Sequence, residues 1–203
     1  MVQTVEALLD PVTEGAVVAQ WRALQRAGLP SQADHTGATN RPHVTLATAA
    51  AMPVALDGAL RAAAGGLPLP VRLGPLVVLG GRRHVLARLL VATPSLLGLH
   101  ARTADVLSGC PEPGELLAPG AWTPHVTLAR GLTGRQLADA LAALGAAGAL
   151  GPAADLAGAV TGLRRFDGDA RAVRLVAGSD GDADAPSATD RGADLSRGGP
   201  APR

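Results

Sequence analysis

The stretch Pro42-His43-Val44-Thr45-Leu46-Ala47 recurs letter for letter as Pro124-His125-Val126-Thr127-Leu128-Ala129. With roughly 5% usage per residue type, six matches have a chance on the order of 10⁻⁸ per pair of positions, and on the order of 10⁻⁴ over the whole chain. Two copies are too few for a solenoid, so the repeat reads as a duplication into two similar α/β lobes. Each copy reads as a strand followed by a helix and then a hairpin. Side chains alternate across a strand. His43 and Thr45 therefore share one face, with Val44 and Leu46 on the other, and His125 and Thr127 repeat the pattern against Val126 and Leu128. Packing accounts for the apolar face only. If the lobes face each other across a pseudo-two-fold axis, two imidazoles and two hydroxyls meet in one cleft.

Working outward, Val2–Leu9 reads as a strand. Asp10-Pro11 opens a helix to about Ala27, since Asp caps and Pro fits the first turn. Ser31–Asn40 is polar loop and Val44–Ala50 a strand. Pro53–Ala64 reads as a helix. Leu69–Leu79 and His84–Ala92 form a hairpin, Pro94–Leu107 a helix and Pro111–Gly120 a loop. Val126–Ala129 is a strand and Thr133–Ala147 a helix. Ala154–Phe166 and Ala170–Ala177 make a second hairpin. The domain boundaries follow: 1–177 is a single bilobal domain, and 178–203 is a disordered, acidic Gly/Ala/Asp-rich tail.

The chain has 203 residues, 47% hydrophobic, 17% charged and 1% aromatic. That apolar content is enough for a core. Trp21, Trp122 and Phe166 are its aromatics, and it has no lysine. Few rings argue against a nucleic-acid surface built on stacked bases. A formal net charge of +1 gives no general attraction to nucleic acid or anionic membrane. Cys110 is the single cysteine, which excludes an intrachain disulfide and a zinc-thiolate site and fits a reducing cytoplasm. The first ten residues contain Glu6 and lack a basic region, unlike a signal peptide, and no apolar run is long enough to span a membrane. Asp180-Gly181-Asp182-Ala183-Asp184 opens like a calcium loop, but Ala185 and Arg191 occupy the positions that need Gly and Glu. Gly80-Gly81-Arg82-Arg83 lacks the strand–loop–helix setting of a phosphate loop. His84 and His100 have no partner motif and read as structural or exposed.

Two imidazoles with two hydroxyls suit phosphate-ester chemistry. One His takes a proton from the attacking oxygen while the other protonates the leaving oxygen. Thr45 and Thr127 donate to the non-bridging oxygens. Arg130 adds a planar cation that matches phosphate. Strict alternation sets Arg130 opposite Thr127; it joins that face only if the strand ends or bulges. No Asp or Glu lies within several residues of either motif, which argues against a metal.

At these residues the chain resembles the 2H phosphoesterase superfamily, in particular the 2′-5′ RNA ligase (RNA 2′,3′-cyclic phosphodiesterase) family. The resemblance covers roughly 2–177 and rests on both His-x-Thr-Leu motifs, their spacing and His125-Val126-Thr127-Leu128-Ala129-Arg130. It implies an α+β fold of two pseudo-two-fold lobes, with antiparallel sheets lining a central cleft and helices outside. It implies metal-independent hydrolysis of 2′,3′-cyclic phosphate ends of RNA or nucleotides to 2′-phosphates, with reversible 2′-5′ ligation in some members. His43 becomes the proton donor and His125 the acceptor. Thr45, Thr127 and Arg130 hold the phosphate, and Arg41, Trp122 and Phe166 are candidate substrate contacts. Trp122 has two places open to it, lining the cleft or buried in its lobe. No cofactor, metal or obligate protein partner is implied, and a monomer is expected. Two rivals stay open: the same site acting on ADP-ribose cyclic phosphate, and a phosphate- or RNA-binding protein without turnover.

Overall fold

The structure is a computed structural model that describes residues 2–179. Residues 180–203, which hold nearly all of the expected tail and its Asp-rich calcium-loop look-alike, lie outside the described residues. The chain runs β1 (Gln3–Leu9), α1 (Pro11–Arg26), β2 (His43–Ala49), α2 (Asp57–Ala63), β3 (Leu69–Leu79), β4 (His84–Leu90) and α3 (Pro94–Val106). It continues with β5 (His125–Leu132), α4 (Gly134–Ala146), β6 (Leu156–Asp167) and β7 (Ala172–Gly178). Gly178, placed at the start of the tail by composition, closes β7 instead.

Local chemistry explains most of these limits. Asp10 accepts from the backbone N–H groups of Val12 and Thr13 and starts α1, satisfying donors that the first turn leaves open. Thr93 caps α3, and Thr133 with Gln136 forms a capping box on α4. The helix expected over 53–64 is shorter. Neither Pro53 nor Leu56 offers a capping acceptor, so Val54–Leu56 winds as a 3₁₀ turn before α2. Both motif strands begin at the histidine itself, one residue earlier than expected.

All strand pairs are antiparallel, in the order β2-β1-β6-β3-β4-β5. β6 joins the halves. Its residues 160–167 pair with β1, and on its other edge 156–160 pair with β3 and 162–167 with β7. The strands thus form one continuous sheet, with the two motif strands at its ends. α1 packs on β5 and β6, and α3 on β2 and β3. Val44, Leu46, Val126 and Leu128 are fully or almost fully buried with Val17, Leu24, Leu96 and Leu99 from these helices. Each such side chain contributes about 1.5–3 kcal/mol of hydrophobic stabilisation.

Both motif strands carry the same irregularity. On β1, Glu6 opposes Thr45 and Val5 opposes Ala47, so Leu46 is the extra residue. On β4, Ala87 opposes Thr127 and Leu86 opposes Ala129, so Leu128 is extra. A bulge of this kind reverses the alternation beyond it. Leu46 and Ala47 are consecutively buried, as are Leu128 and Ala129. Thr48 and Arg130 therefore return to the face that carries the His and Thr pairs.

Candidate active site

The pairing register lays out the first half of the site. Opposed residues of antiparallel strands share a face. One row runs Thr45, Glu6, Arg164, Leu175 across four strands; the next runs Thr48, Thr4, Phe166, Val173. His43 stands beside Leu8 in the row on the other side. In the second half, His125 opposes Leu89 and Thr127 opposes Ala87.

Both histidines are oriented in the same way. His43 Nδ1 lies 2.8 Å from the Arg41 carbonyl, and His125 Nδ1 lies 2.7 Å from the Thr123 carbonyl, each two residues earlier. A carbonyl only accepts, so each Nδ1 carries a hydrogen and donates it. That leaves Nε2 of each ring for chemistry. Burial is the main cause that lowers the His125 pKa, and the nearby charges of Arg130 and His43 lower it further against the Thr123 hydrogen bond. His125 thus stays neutral, and able to accept a proton, to a lower pH than an ordinary histidine.

Trp122 and Trp21 each tie down one motif strand. The Trp122 indole donates to the Thr45 carbonyl at 3.0 Å, and Trp21 donates to the Thr127 carbonyl at 2.9 Å. Trp122 also stacks on the buried His100, with ring centroids 4.0 Å apart. Its N–H and one ring face are therefore committed to the protein. His100 bonds the Leu117 carbonyl, and burial lowers its pKa, so it is a structural histidine.

Arg130 is exposed and donates to Thr127 Oγ1 at 3.2 Å. The bulge at Leu128 resolves the question left by strict alternation: Arg130 lies with Thr127. Arg41 pairs with Glu14 of α1 through its Nη2, and its side chain lines a cavity of about 250 Å³ with Leu8, Asn40, Arg164 and Leu175. Phe166 is half-buried and lines a separate cavity of about 250 Å³ with Gln3, Met52 and Val173. It is on the His43 face, but toward the far end of β6.

Glu6 and Arg164 join this face from outside both motifs. Glu6 is only 3% exposed, and its carboxylate accepts from Arg164 Nε at 2.8 Å and from Thr4 Oγ1 at 2.7 Å. Its Oε1 lies 3.5 Å from His43 Nε2. Glu6 is distant from both motifs along the chain, and only the β1–β2 register brings it in. Its signal in the sequence is an acid inside the apolar run Val5-Glu6-Ala7-Leu8-Leu9. Among the described residues no group of three His, Cys, Asp or Glu side chains could hold a metal ion, and no helix is long and apolar enough to cross a membrane.

The family model described as the 2'-5' RNA ligase superfamily matches residues 10–170. The chain belongs to this superfamily, the branch of the 2H phosphoesterases that its motifs resemble. Usb1 of Kluyveromyces marxianus with uridine monophosphate is similar in fold, with 14% identity, a TM-score of 0.51, and coverage of 86% of this chain and 97% of that one. LigT of E. coli complexed with 3'-AMP is 19% identical with a TM-score of 0.45, covering 85% and 91%. No curated protein matches the chain.

Proposed function

We propose that this protein is a metal-independent phosphodiesterase that opens 2′,3′-cyclic phosphate ends of RNA or nucleotides to 2′-phosphates. The observation that carries this reading is the pair of histidines anchored alike at Nδ1, each beside a threonine on one face of its strand. Water attacks phosphorus while His125 Nε2 takes its proton. The bond from phosphorus to O3′ breaks, and His43 gives a proton to that oxygen. Thr45, Thr127 and Arg130 stabilise the charge that builds on the non-bridging oxygens. With an RNA 5′-hydroxyl in place of water, the same step joins that oxygen to phosphorus as the bond to O3′ breaks, and a 2′-5′ linkage forms; in the reverse step, attack of O3′ on that linkage expels the 5′-oxygen and the histidines exchange roles. Uridine monophosphate sits in a protein of this fold, and nucleotides are the ligand class proposed here.

The test is turnover of a 2′,3′-cyclic nucleotide and of a cyclic-phosphate-ended oligonucleotide in EDTA. A 2′-phosphate product is expected from both. His43→Ala and His125→Ala should each lower kcat by about 10²–10⁴-fold. Oligonucleotide binding without turnover of either substrate would overturn the enzymatic reading. Turnover of ADP-ribose cyclic phosphate alone would move the activity to that substrate.

A further inference from the structure

We propose that Glu6 sets the direction of proton flow between the two histidines, by holding the transferable proton on His43 Nε2. The inference rests on the phosphodiesterase reading and adds a positioning residue to it. Both Nδ1 atoms face carbonyls and carry hydrogens, so the rings differ only at Nε2. At His43 that atom lies 3.5 Å from the Glu6 carboxylate. A bare lone pair there would face negative charge, whereas an N–H of an imidazolium is matched to it. At His125 the nearby fixed charge is the Arg130 cation, and no acidic side chain pairs with the ring among the described residues. A lone pair suits that surrounding. One ring is built to give a proton and the other to receive one.

The difference comes down to a single position. Glu6 opposes Thr45 on the strand next to the first motif, and Ala87 opposes Thr127 at the same place beside the second. The first of two identical motifs has thus acquired an acidic neighbour where the second has a neutral one. The carboxylate is also fixed. Arg164 binds its far oxygen and reaches on to the Thr39 carbonyl at 3.0 Å, while Thr4 binds the near one. A buried ion pair of this kind adds little net stability over an apolar pair of the same volume, so stability alone does not account for it. The other charges near His43 are Arg41 in the preceding loop, paired with Glu14 of α1, and His125 with Arg130 on β5.

The experiment compares the pH dependence of kcat/KM for a 2′,3′-cyclic nucleotide in wild type, Glu6→Gln and Glu6→Asp. The alkaline limb reports loss of the acid, and the acidic limb reports the base. In Glu6→Gln the alkaline limb should move to lower pH by about one unit. Activity at pH 8 then falls about fivefold more than at pH 6, the acidic limb stays in place, and Glu6→Asp restores the profile. An equal fractional loss at every pH would make Glu6 a structural residue and overturn the inference. If Glu6→Gln does not fold, Glu6→Gln combined with Arg164→Leu removes both buried charges, and its alkaline limb must shift in the same direction. Ring ¹⁵N NMR of His43 gives a readout that needs no turnover: the imidazolium fraction at neutral pH should be larger in wild type than in Glu6→Gln. That difference without wild-type turnover would sink the phosphodiesterase reading and keep the proton assignment. Turnover with an unmoved alkaline limb would do the opposite.

Discussion

An imidazole serves as a directed acid or base once one of its nitrogens is committed to the protein. Arg41 and Thr123 supply that commitment through their carbonyls, so both rings present Nε2. Arg130 is the residue whose loss should separate chemistry from stability. It is exposed, and among the described residues its one side-chain hydrogen bond is to Thr127 Oγ1. Arg130→Gln should lower kcat/KM by about 10–100-fold and leave the melting temperature unchanged. Arg130→Lys should recover only part, because a point charge does not reproduce the planar fork. Steady-state kinetics with a thermal melt checks both, and a fall in melting temperature that matches the kinetic loss would contradict it. The His and Thr pairs were legible because a repeated string on one strand face needs no tertiary information. Arg130 was legible as chemistry but not as geometry, since the extra residue Leu128 reverses the alternation. Glu6 was illegible as a neighbour of His43, because register is set by pairing across the sheet and not along the chain.

Elements begin where polar groups find partners, and Asp10 shows how much one residue can organise. Its carboxylate accepts from Val12 N, Thr13 N, Thr13 Oγ1 and Ala159 N at 3.1, 3.0, 2.7 and 2.7 Å. It thereby caps α1 and pins that helix to β6. Asp10→Ala should cost about 2–3 kcal/mol, from the lost cap and the unpaired Ala159 N–H. Burial pushes the Asp10 carboxyl up, but the hydrogen bonds from Thr13, Ala159 and Val12 outweigh it and hold it below its ordinary value of 3.8. A depressed carboxyl stabilises the fold above its unfolded value, and that stability is lost as the pH falls through the folded value. Denaturant midpoints of wild type and Asp10→Ala should therefore converge below about pH 4 and stay apart at pH 7. A gap independent of pH would contradict this. Gly158→Ala should damage the same cap, since its Cβ would lie 1.9 Å from Thr13 Oγ1 and 2.6 Å from Asp10 Oδ2. The cap itself was legible in Asp10-Pro11; its second bond, to Ala159, was not, because it joins the two ends of the fold.

Across the whole molecule, one sheet carries the two motif strands to its opposite ends, and two tryptophans fasten those ends. Trp122 holds the backbone of Thr45, and Trp21 that of Thr127. Trp122→Phe should therefore lower kcat more than it raises KM, because it loosens the strand that carries His43 and leaves the second motif strand in place. It should cost about 1 kcal/mol of stability. A change in KM alone would instead make Trp122 a substrate contact. The scarcity of rings takes on a sharper meaning here. The repeat announced two halves, but the order of strands and the sharing of β6 depend on long-range pairing that composition and periodicity do not encode. The central claim is that two imidazoles, one protonated and one neutral, share the reaction. The dependence of kcat/KM on pH tests it most directly. The account predicts a bell, with an acidic limb lower than an ordinary histidine would give because burial and Arg130 favour neutral His125; a flat profile from about pH 5 to 9 would contradict it.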